Sequence, residues 1–218
     1  VNSGTIVGHN YFADIDTTIR NTGIMGGDIF FGNSTNIYDG TGGALYGDIY
    51  LGIGTDTVTL GAAGGVVYGG GGTATITGGA GDDFIQISRG AGAIHGGGGF
   101  NILSFANADT AVSVDLGAGT ATAGGSFTLS NIQRVIGGRY DDTLKAGNTA
   151  ATLVAGLGHD MLIVGAGHDR LIAVGGSTAI GGGGNHSSIY SVGRQWLISP
   201  HLGVNRKQDV VKRYGYTA

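Results

Sequence analysis

The sequence has no cysteine and no glutamate, and it contains a single proline among its 218 residues. Without cysteine, the chain has neither a disulfide framework nor a thiolate metal site. One proline and the lack of a three-residue glycine period exclude a collagen-like triple helix. Charged residues make up only 12% of the chain against 41% hydrophobic residues, which argues against a solvated, disordered protein. No apolar run approaches the roughly 18 residues that a membrane-spanning helix needs.

The chain is instead rich in glycine, with 48 residues, and all 15 of its acidic residues are Asp. Gly and Asp are poor residues for helix interiors, so a mostly helical fold is excluded. The length suits one domain or one elongated rod. Because the chain starts at Val1 without a signal-peptide pattern, we expect a processed form or a piece of a longer protein.

Charge is distributed unevenly along the chain. Residues 1–190 contain 14 Asp against six Lys and Arg, whereas residues 191–218 contain five Lys and Arg against Asp209. The acidic body is a poor match for a nucleic-acid partner. The basic tail could cap the last coil with the apolar side chains of 196–198 and Val204, or it could contact an acidic neighbour.

A nine-residue repeat is the strongest pattern in the sequence. Residues 51–104 divide into six units without a gap, namely LGIGTDTVT, LGAAGGVVY, GGGGTATIT, GGAGDDFIQ, ISRGAGAIH and GGGGFNILS. Residues 137–190 give six more, namely GGRYDDTLK, AGNTAATLV, AGLGHDMLI, VGAGHDRLI, AVGGSTAIG and GGGNHSSIY. The eighth position of every unit is Val, Ile or Leu, which indicates one inward-facing aliphatic residue per unit.

This period predicts the fold class. Residues around each eighth position would form a short strand, and the Gly-rich remainder would form a tight turn. One unit cannot bury its own apolar residue, so units must stack, with two units in each 18-residue coil. The motif GDIFFG at 27–32 recurs as GDIYLG at 47–52, which indicates slightly longer coils ahead of the first block. We therefore predict an all-β parallel β-helix or β-roll solenoid of about ten 18–20-residue coils, with a non-repeat C-terminal cap or tail.

Five segments follow from the repeat boundaries. They are irregular N-terminal coils at 1–50, the first nonapeptide block at 51–104, irregular linking coils at 105–136, the second block at 137–190, and the basic cap or tail at 191–218. In the linking segment, Val112, Val114 and Leu116 alternate as in a strand. We interpret this segment as two irregular coils.

The unit GGAGDDFIQ at 78–86 follows the pattern Gly-Gly-x-Gly-x-Asp-x-aliphatic-x, and the units at 51–59, 155–163 and 164–172 are near matches. This motif resembles the repeats-in-toxin (RTX, haemolysin-type) calcium-binding repeat of secreted bacterial proteins, and the resemblance covers most of residues 1–190. It implies a β-roll or parallel β-helix, calcium in the turns, and export by a type I secretion route.

The sixth position of each unit supplies the candidate metal ligands. Calcium takes oxygen ligands from carboxylates and backbone carbonyls, both of which Gly-rich turns with one Asp provide. Turns on one edge recur every 18 residues, so an ion could lie between two stacked turns. Asp142 and Asp160 form the one fully acidic pair, with Thr178 expected to follow them. The remaining candidates are Asp83 with Asn101, and Asp169 and Asp56 without an acidic neighbour. The alternative is that these side chains only cap turns through backbone hydrogen bonds.

Other patterns favour weaker alternatives. His168 and His186 lie one coil apart on one edge and could bind a transition metal, although solvent-facing turn residues explain them as well. The pairs Asp82–Asp83 and Asp141–Asp142 could serve as acid and base of a glycan-cleaving enzyme, but both fit the calcium turn better.

Threonines stack at 55, 57 and 59 and again at 73, 75 and 77, which is a pattern typical of ice-binding surfaces. With Ala91, Ala93 and His95 at the next equivalent positions, we expect this ladder to stop after two coils. Ordinary β-propensity explains a ladder of that length.

The sequence thus favours an extracellular, calcium-binding structural or adhesive module of a bacterial surface protein or filament, with no catalysis of its own. Its expected partners are a cell-surface polysaccharide or a second copy joined end to end. The repeat portion of a secreted carbohydrate-active enzyme (a lyase, epimerase or hydrolase) is the main alternative, and an ice-binding module is the minor one.

Overall fold

The structure is a computed structural model. It describes residues 1–174, 176–181, 188–192, 196–198 and 211–214, the last three ranges through their backbone. Within these ranges every regular element is a β-strand, and the described chain contains no helix able to cross a membrane.

The strands form three sheets, which we number 1 to 3. Sheet 1 has 11 strands in the order β2 Asn10–Tyr11, β5 Ile29–Phe30, β8 Ile49–Tyr50, β10 Gly65–Gly69, β12 Asp83–Ile87, β14 Ile102–Ser104, β18 Arg134–Ile136, β20 Thr152–Val154, β22 Arg170–Val174, β24 Ser188–Val192, β26 Val211–Tyr214. Sheet 2 has 12 strands in the order β3 Thr17–Arg20, β6 Thr35–Asp39, β9 Thr55–Thr59, β11 Thr73–Thr77, β13 Ala91–His95, β17 Ser126–Ser130, β16 Thr120–Thr122, β15 Ser113–Asp115, β19 Thr143–Lys145, β21 Met161–Ile163, β23 Thr178–Ile180, β25 Trp196–Ile198. Sheet 3 has three strands at the N-terminal end, β1 Thr5–Ile6, β4 Ile24–Met25, β7 Ala44–Leu45.

The strand register confirms the predicted β-solenoid. In the first block Thr55 pairs with Thr73 in parallel, one 18-residue coil away. The N-terminal coils are longer, because Ile29 pairs with Asn10 at a spacing of 19 residues and with Ile49 at a spacing of 20. Each coil contributes one strand to sheet 1, and the solenoid has roughly ten turns.

The core is the predicted column of eighth-position side chains between sheets 1 and 2. Ten of these side chains are at most 1% exposed, namely Val58, Val67, Ile76, Ile85, Ile94, Leu103, Leu144, Leu153, Leu162 and Leu171. Their neighbours in each strand point outward, so every coil buries a narrow apolar stripe that only the stacked coils above and below can complete.

The repeat frame shifts by one residue within the unit at 173–181. Met161 pairs with Thr178, which is 17 residues later rather than 18. As a result Ala179, which is 3% exposed, takes the inward place, whereas the eighth-position Ile180 is half-buried. The same shift places Ser177, and not the expected Thr178, beside Asp160.

The linking segment at 105–136 forms an antiparallel excursion instead of two parallel coils. Strand β14 pairs directly with β18 in sheet 1, so the whole segment occupies one step of that sheet. In sheet 2 it supplies three strands, of which β16 is antiparallel to both β15 and β17. Sheet 2 therefore gains two strands at this level.

At the C-terminal end the backbone of 196–198 pairs with β23, and that of 211–214 pairs with β24. The side chains of the proposed cap, including Val204 and the basic residues, lie outside the described residues, as do His186 and Ser187.

Candidate functional site

The six side chains that the sequence predicts as metal ligands, all at the sixth position of a unit, point into the corners of the solenoid at the start of a strand. Three begin sheet 2 strands, namely Asp56, Asp142 and Asp160, and three begin sheet 1 strands, namely Asp83, Asn101 and Asp169. Each is at most 2% exposed. A strand that starts with an inward residue buries every second residue after it, so the sixth and eighth positions share the interior face.

Backbone N–H groups from two places hold these carboxylates. Asp142 accepts one N–H from Gly138 in its own turn and another from Val112, at 2.8 Å, on the adjacent strand. Asp169 repeats the arrangement with Gly165 at 2.8 Å and Ala151 at 3.0 Å. One carboxylate thus ties its turn together and joins it to the neighbouring coil.

The structure brings Asp142 and Asp160 together as predicted from their spacing. The Asp142 N–H donates to Asp160 Oδ1 at 2.9 Å, so the two turns are direct neighbours. The hydroxyl of Ser177 donates to Asp160 Oδ2 at 3.2 Å. Burial raises the pKa of Asp160 to about 6 despite these bonds, and the Asp142 charge adds to the shift.

Asp83 and Asn101 are also neighbours, and the Asp83 N–H donates to Asn101 Oδ1 at 3.1 Å. Asp83 Oδ2 accepts the Gly79 N–H at 3.1 Å, whereas Oδ1 is buried without a hydrogen bond. The Gly65 N–H faces this carboxylate closely enough to lower its pKa, yet it does not reach hydrogen-bond geometry. Desolvation prevails and raises the pKa of Asp83, as it does for Asp56 and Asp142.

Asn36 is a member of this set that the sequence analysis missed. Its side-chain amide donates to the carbonyls of Gly32 and Ser34 in its own turn and to Asp56 Oδ1 at 2.8 Å on the next coil. An NH₂ group therefore lies among three oxygens of two stacked turns, as a bound cation would. The 20-residue spacing of the N-terminal coils, which aligns 32–38 with 52–58, was the available signal for it.

In the units of Asp83 and Asp142, glycine at the first position leaves room for the carboxylate. A Cβ built at Gly78 would overlap Asp83 Oδ2, and one at Gly137 would lie 2.7 Å from Asp142 Oδ2. At these two positions a side chain would meet both the buried carboxylate and a carbonyl oxygen of the next turn, that of Gly96 or of Ala155. The units of the other three Asp residues begin with Leu51, Ala155 and Val164.

The neighbouring fifth-position carboxylates are exposed. Asp82 accepts the Phe100 N–H at 2.7 Å, and Asp141 accepts the His159 N–H at 2.8 Å. In both candidate acid–base pairs, therefore, one carboxylate is in solvent, the other is in the interior, and both are bonded to backbone.

Carboxylate and carbonyl oxygens are the ligands that calcium prefers, and the Asn36–Asp56 corner brings both kinds together. At Asp142 and Asp160 the carboxylates accept N–H and hydroxyl donors, which an ion would have to replace. No group of three or more His or Asp side chains is suitably placed for a metal in the described residues. An ion here would take most of its ligands from the backbone, which calcium accepts and most transition metals do not.

A shallow groove of about 480 Å³ lies beside Asp83, where sheet 3 ends at β7. Tyr46 and Phe100, which are 76% and 46% exposed, line this groove together with Phe84 and Asp82. Small residues of the 63–65 turn also line the groove, and its lining residues in the described chain include no Lys or Arg.

A scan against protein-family models finds no match to this chain, and a search of curated proteins finds no significant relative.

Proposed function

We propose that this chain is an extracellular structural and adhesive module of a bacterial surface protein or filament, without catalysis of its own, in which calcium supports the Asp turns. The observation that carries the proposal is the burial of the six candidate ligand side chains within the turns. There they join stacked coils, and none of them is placed to face a substrate in solvent. Export by a type I route is part of the same proposal and is supported by the repeat motif alone.

Calcium would be held first by Asp142 and Asp160 with the carbonyls of their turns. When bound, the ion would neutralise two desolvated carboxylates and so couple ion binding to folding. The Asn36 amide supports this assignment. In the N-terminal coils the neighbour of Asp56 is Asn36 instead of a second Asp, and its NH₂ group lies among carboxylate and carbonyl oxygens, where we propose that calcium lies in the later coils. Asp83 is the next candidate, since one of its oxygens has no hydrogen-bond partner.

Chelation tests the ion directly. We expect purified protein to contain calcium by elemental analysis and to lose melting temperature in chelator, with recovery when calcium is restored. The double variant D142N/D160N should lose most of that response. D16N is the matched control, because Asp16 is exposed and its oxygen accepts the Thr35 N–H, a bond that Asn can keep. An unchanged melting curve in chelator together with no bound calcium would refute the ion assignment.

Adhesion is assigned to the groove at Tyr46, Phe84 and Phe100, with a cell-surface polysaccharide as its partner. Sugars combine apolar C–H faces with hydroxyl donors, which suits aromatic walls beside the Asp82 carboxylate. Calorimetry against a panel of neutral and anionic polysaccharides should show binding that Y46A and F100A abolish. Tyr140 is 47% exposed elsewhere on the surface, so Y140A is the control that keeps binding. Absence of binding across the panel removes the adhesive role, and turnover of a bound polysaccharide assigns an enzyme instead.

A further inference from the structure

The outer face of sheet 2 carries far more hydroxyl groups than the sequence period indicates. Beyond Ala91 and Ala93, the register brings β17 next to β13, with Thr128 beside Ala93. The antiparallel strands then continue the pattern, because Thr120 lies beside Thr128 and Thr122 beside Ser126. Twelve exposed Ser and Thr side chains share this face, namely Thr18, Thr35, Thr55, Thr57, Thr73, Thr75, Ser113, Thr120, Thr122, Ser126, Thr128 and Ser130. We call this set the hydroxyl face.

The threonine ladder stops after two coils as expected, because β13 places Ala91, Ala93 and His95 beside β11, and hydroxyl groups resume one strand later at β17. An 18-residue period predicts the next strand of this face at 109–113. The antiparallel excursion instead places 126–130 beside β13, 35 residues later in the chain. The hydroxyl pattern persists where the repeat period does not, so it is independent of the nonapeptide motif.

Strand propensity alone does not explain the hydroxyl face. That preference favours Val, Ile, Tyr and Phe as well as Thr, and it acts equally on both sheets. The outer face of sheet 1 carries a stack of aromatic rings, in which Phe30 and Tyr50 have centroids 4.6 Å apart, and Tyr50 and Tyr68 4.8 Å apart. Thr152 is the one Thr among the outward residues of the sheet 1 strands whose side chains are described. The outer faces of sheets 1 and 2 thus carry different kinds of side chain, although strand propensity acts equally on both.

The hydroxyl face does not suit the usual partners. Protein interfaces rely on buried aromatic and Arg anchors, and nucleic acids need a basic surface. Small ligands need a concave pocket with a few convergent polar groups. A glycan that stacks its C–H faces would find no Phe, Tyr or Trp ring among the outward side chains of sheet 2 that the structure describes. What the face offers is a set of hydroxyl groups about 4.8 Å apart between strands and roughly 6.7 Å along each strand. Ile37 on β6 and the β13 residues Ala91, Ala93 and His95 interrupt this set.

We propose that the hydroxyl face binds ice. Thr has few χ1 rotamers, so each hydroxyl and methyl group is held at a defined place. A crystalline water surface also repeats in two dimensions and carries no net charge, so many weak contacts form at once without a single strong anchor. This proposal is independent of calcium and of the groove.

Ice itself is the probe for the test. The parent protein should show thermal hysteresis, and fluorescently labelled protein should adsorb to a growing ice crystal. T57Y and T75Y, which place a bulky ring in the middle of the face, should abolish both effects. T152Y makes the same change on sheet 1 and should retain them. These outer positions are outside the core, and equal melting temperatures of the variants would verify that all of them fold.

Three results would overturn the proposal. One is the absence of both hysteresis and adsorption in the folded parent protein. Another is an equal loss of activity in T152Y. The third is adsorption to microcrystalline cellulose or chitin, in place of ice, that T57Y and T75Y abolish, since this would assign the face to a solid polysaccharide.

Discussion

Replacing Asp160 with Asn should change how stability depends on pH, and the sign of that change depends on whether calcium is bound. Burial raises the pKa of Asp160 from 3.8 to about 6 in the folded chain. The folded state therefore holds this proton more tightly than the unfolded state does. Its contribution to stability is fully present below pH 4 and is lost as the pH rises through about 6.

The expected magnitude follows from the size of the shift. At about 1.4 kcal/mol for each pKa unit, a change from 3.8 to about 6 corresponds to about 3 kcal/mol between pH 4 and pH 7. For a chain of this size that is roughly 6–12 °C in melting temperature. In chelator at pH 7, D160N should therefore melt higher than the parent protein, and its stability should decrease less steeply as the pH rises. Asp56, Asp83 and Asp142 keep their raised pKa values in this variant, so a smaller slope of the same sign should remain.

Calcium should reverse the order of the two proteins. An ion bound between the turns favours the charged carboxylate, so the calcium-loaded parent should gain stability as the pH rises, and D160N should not. Thermal melts by circular dichroism at pH 4 to 7.5, with chelator and with calcium, measure all four cases. The reasoning is refuted if the parent and D160N have the same pH slope in chelator, or if the chelated parent becomes more stable as the pH rises.

Three further substitutions test separate parts of the structure by thermal or denaturant unfolding. G78A should lose about 1–3 kcal/mol, because its Cβ would overlap the buried Asp83 carboxylate and the Gly96 carbonyl oxygen. G4A, with nothing within 4 Å, should be tolerated, and similar losses in the two variants would contradict the proposed packing. L153A should lose about 2–5 kcal/mol from the core, and L157A, at a residue that is 65% exposed, should change stability by less than about 0.5 kcal/mol. N36D should be destabilised by about 1–3 kcal/mol in chelator, since it replaces an amide donor among three oxygens with a second carboxylate. Calcium should restore part of the loss. An N36D protein as stable as the parent in chelator would exclude the role given to the amide.

The sequence was sufficient to predict the fold and its core. A period of nine residues with an aliphatic eighth position leaves few arrangements other than stacked coils, and side chains such as Val58 and Leu144 lie in the interior as expected. The failures occur where the period changes. At 173–181 a missing residue moves Ala179 into the core, because strand pairing keeps inward side chains in register even when the frame slips.

The sequence predicted which residues form the candidate site more completely than it predicted their hydrogen bonds. Spacing alone brought Asp142 beside Asp160 and Asp83 beside Asn101. Spacing does not show which way a carboxylate points. The structure places Asp56 on the Asn36 amide and the other four, Asp83, Asp142, Asp160 and Asp169, on backbone N–H groups inside the corners. Asn36 was missed since its coil is two residues longer than those of the repeat blocks. The hydroxyl face was missed because an antiparallel excursion separates its strands by 35 residues in the chain.

The most direct test of the calcium-supported turn is a crystal structure of the protein grown with calcium, with anomalous data collected to locate the ion. The proposal predicts an anomalous peak between the turns at 137–142 and 155–160, coordinated by carboxylate oxygens of Asp142 and Asp160. The contradicting result is density in which both carboxylates still accept the N–H groups of Gly138, Val112 and Asp142, with no ion between the turns.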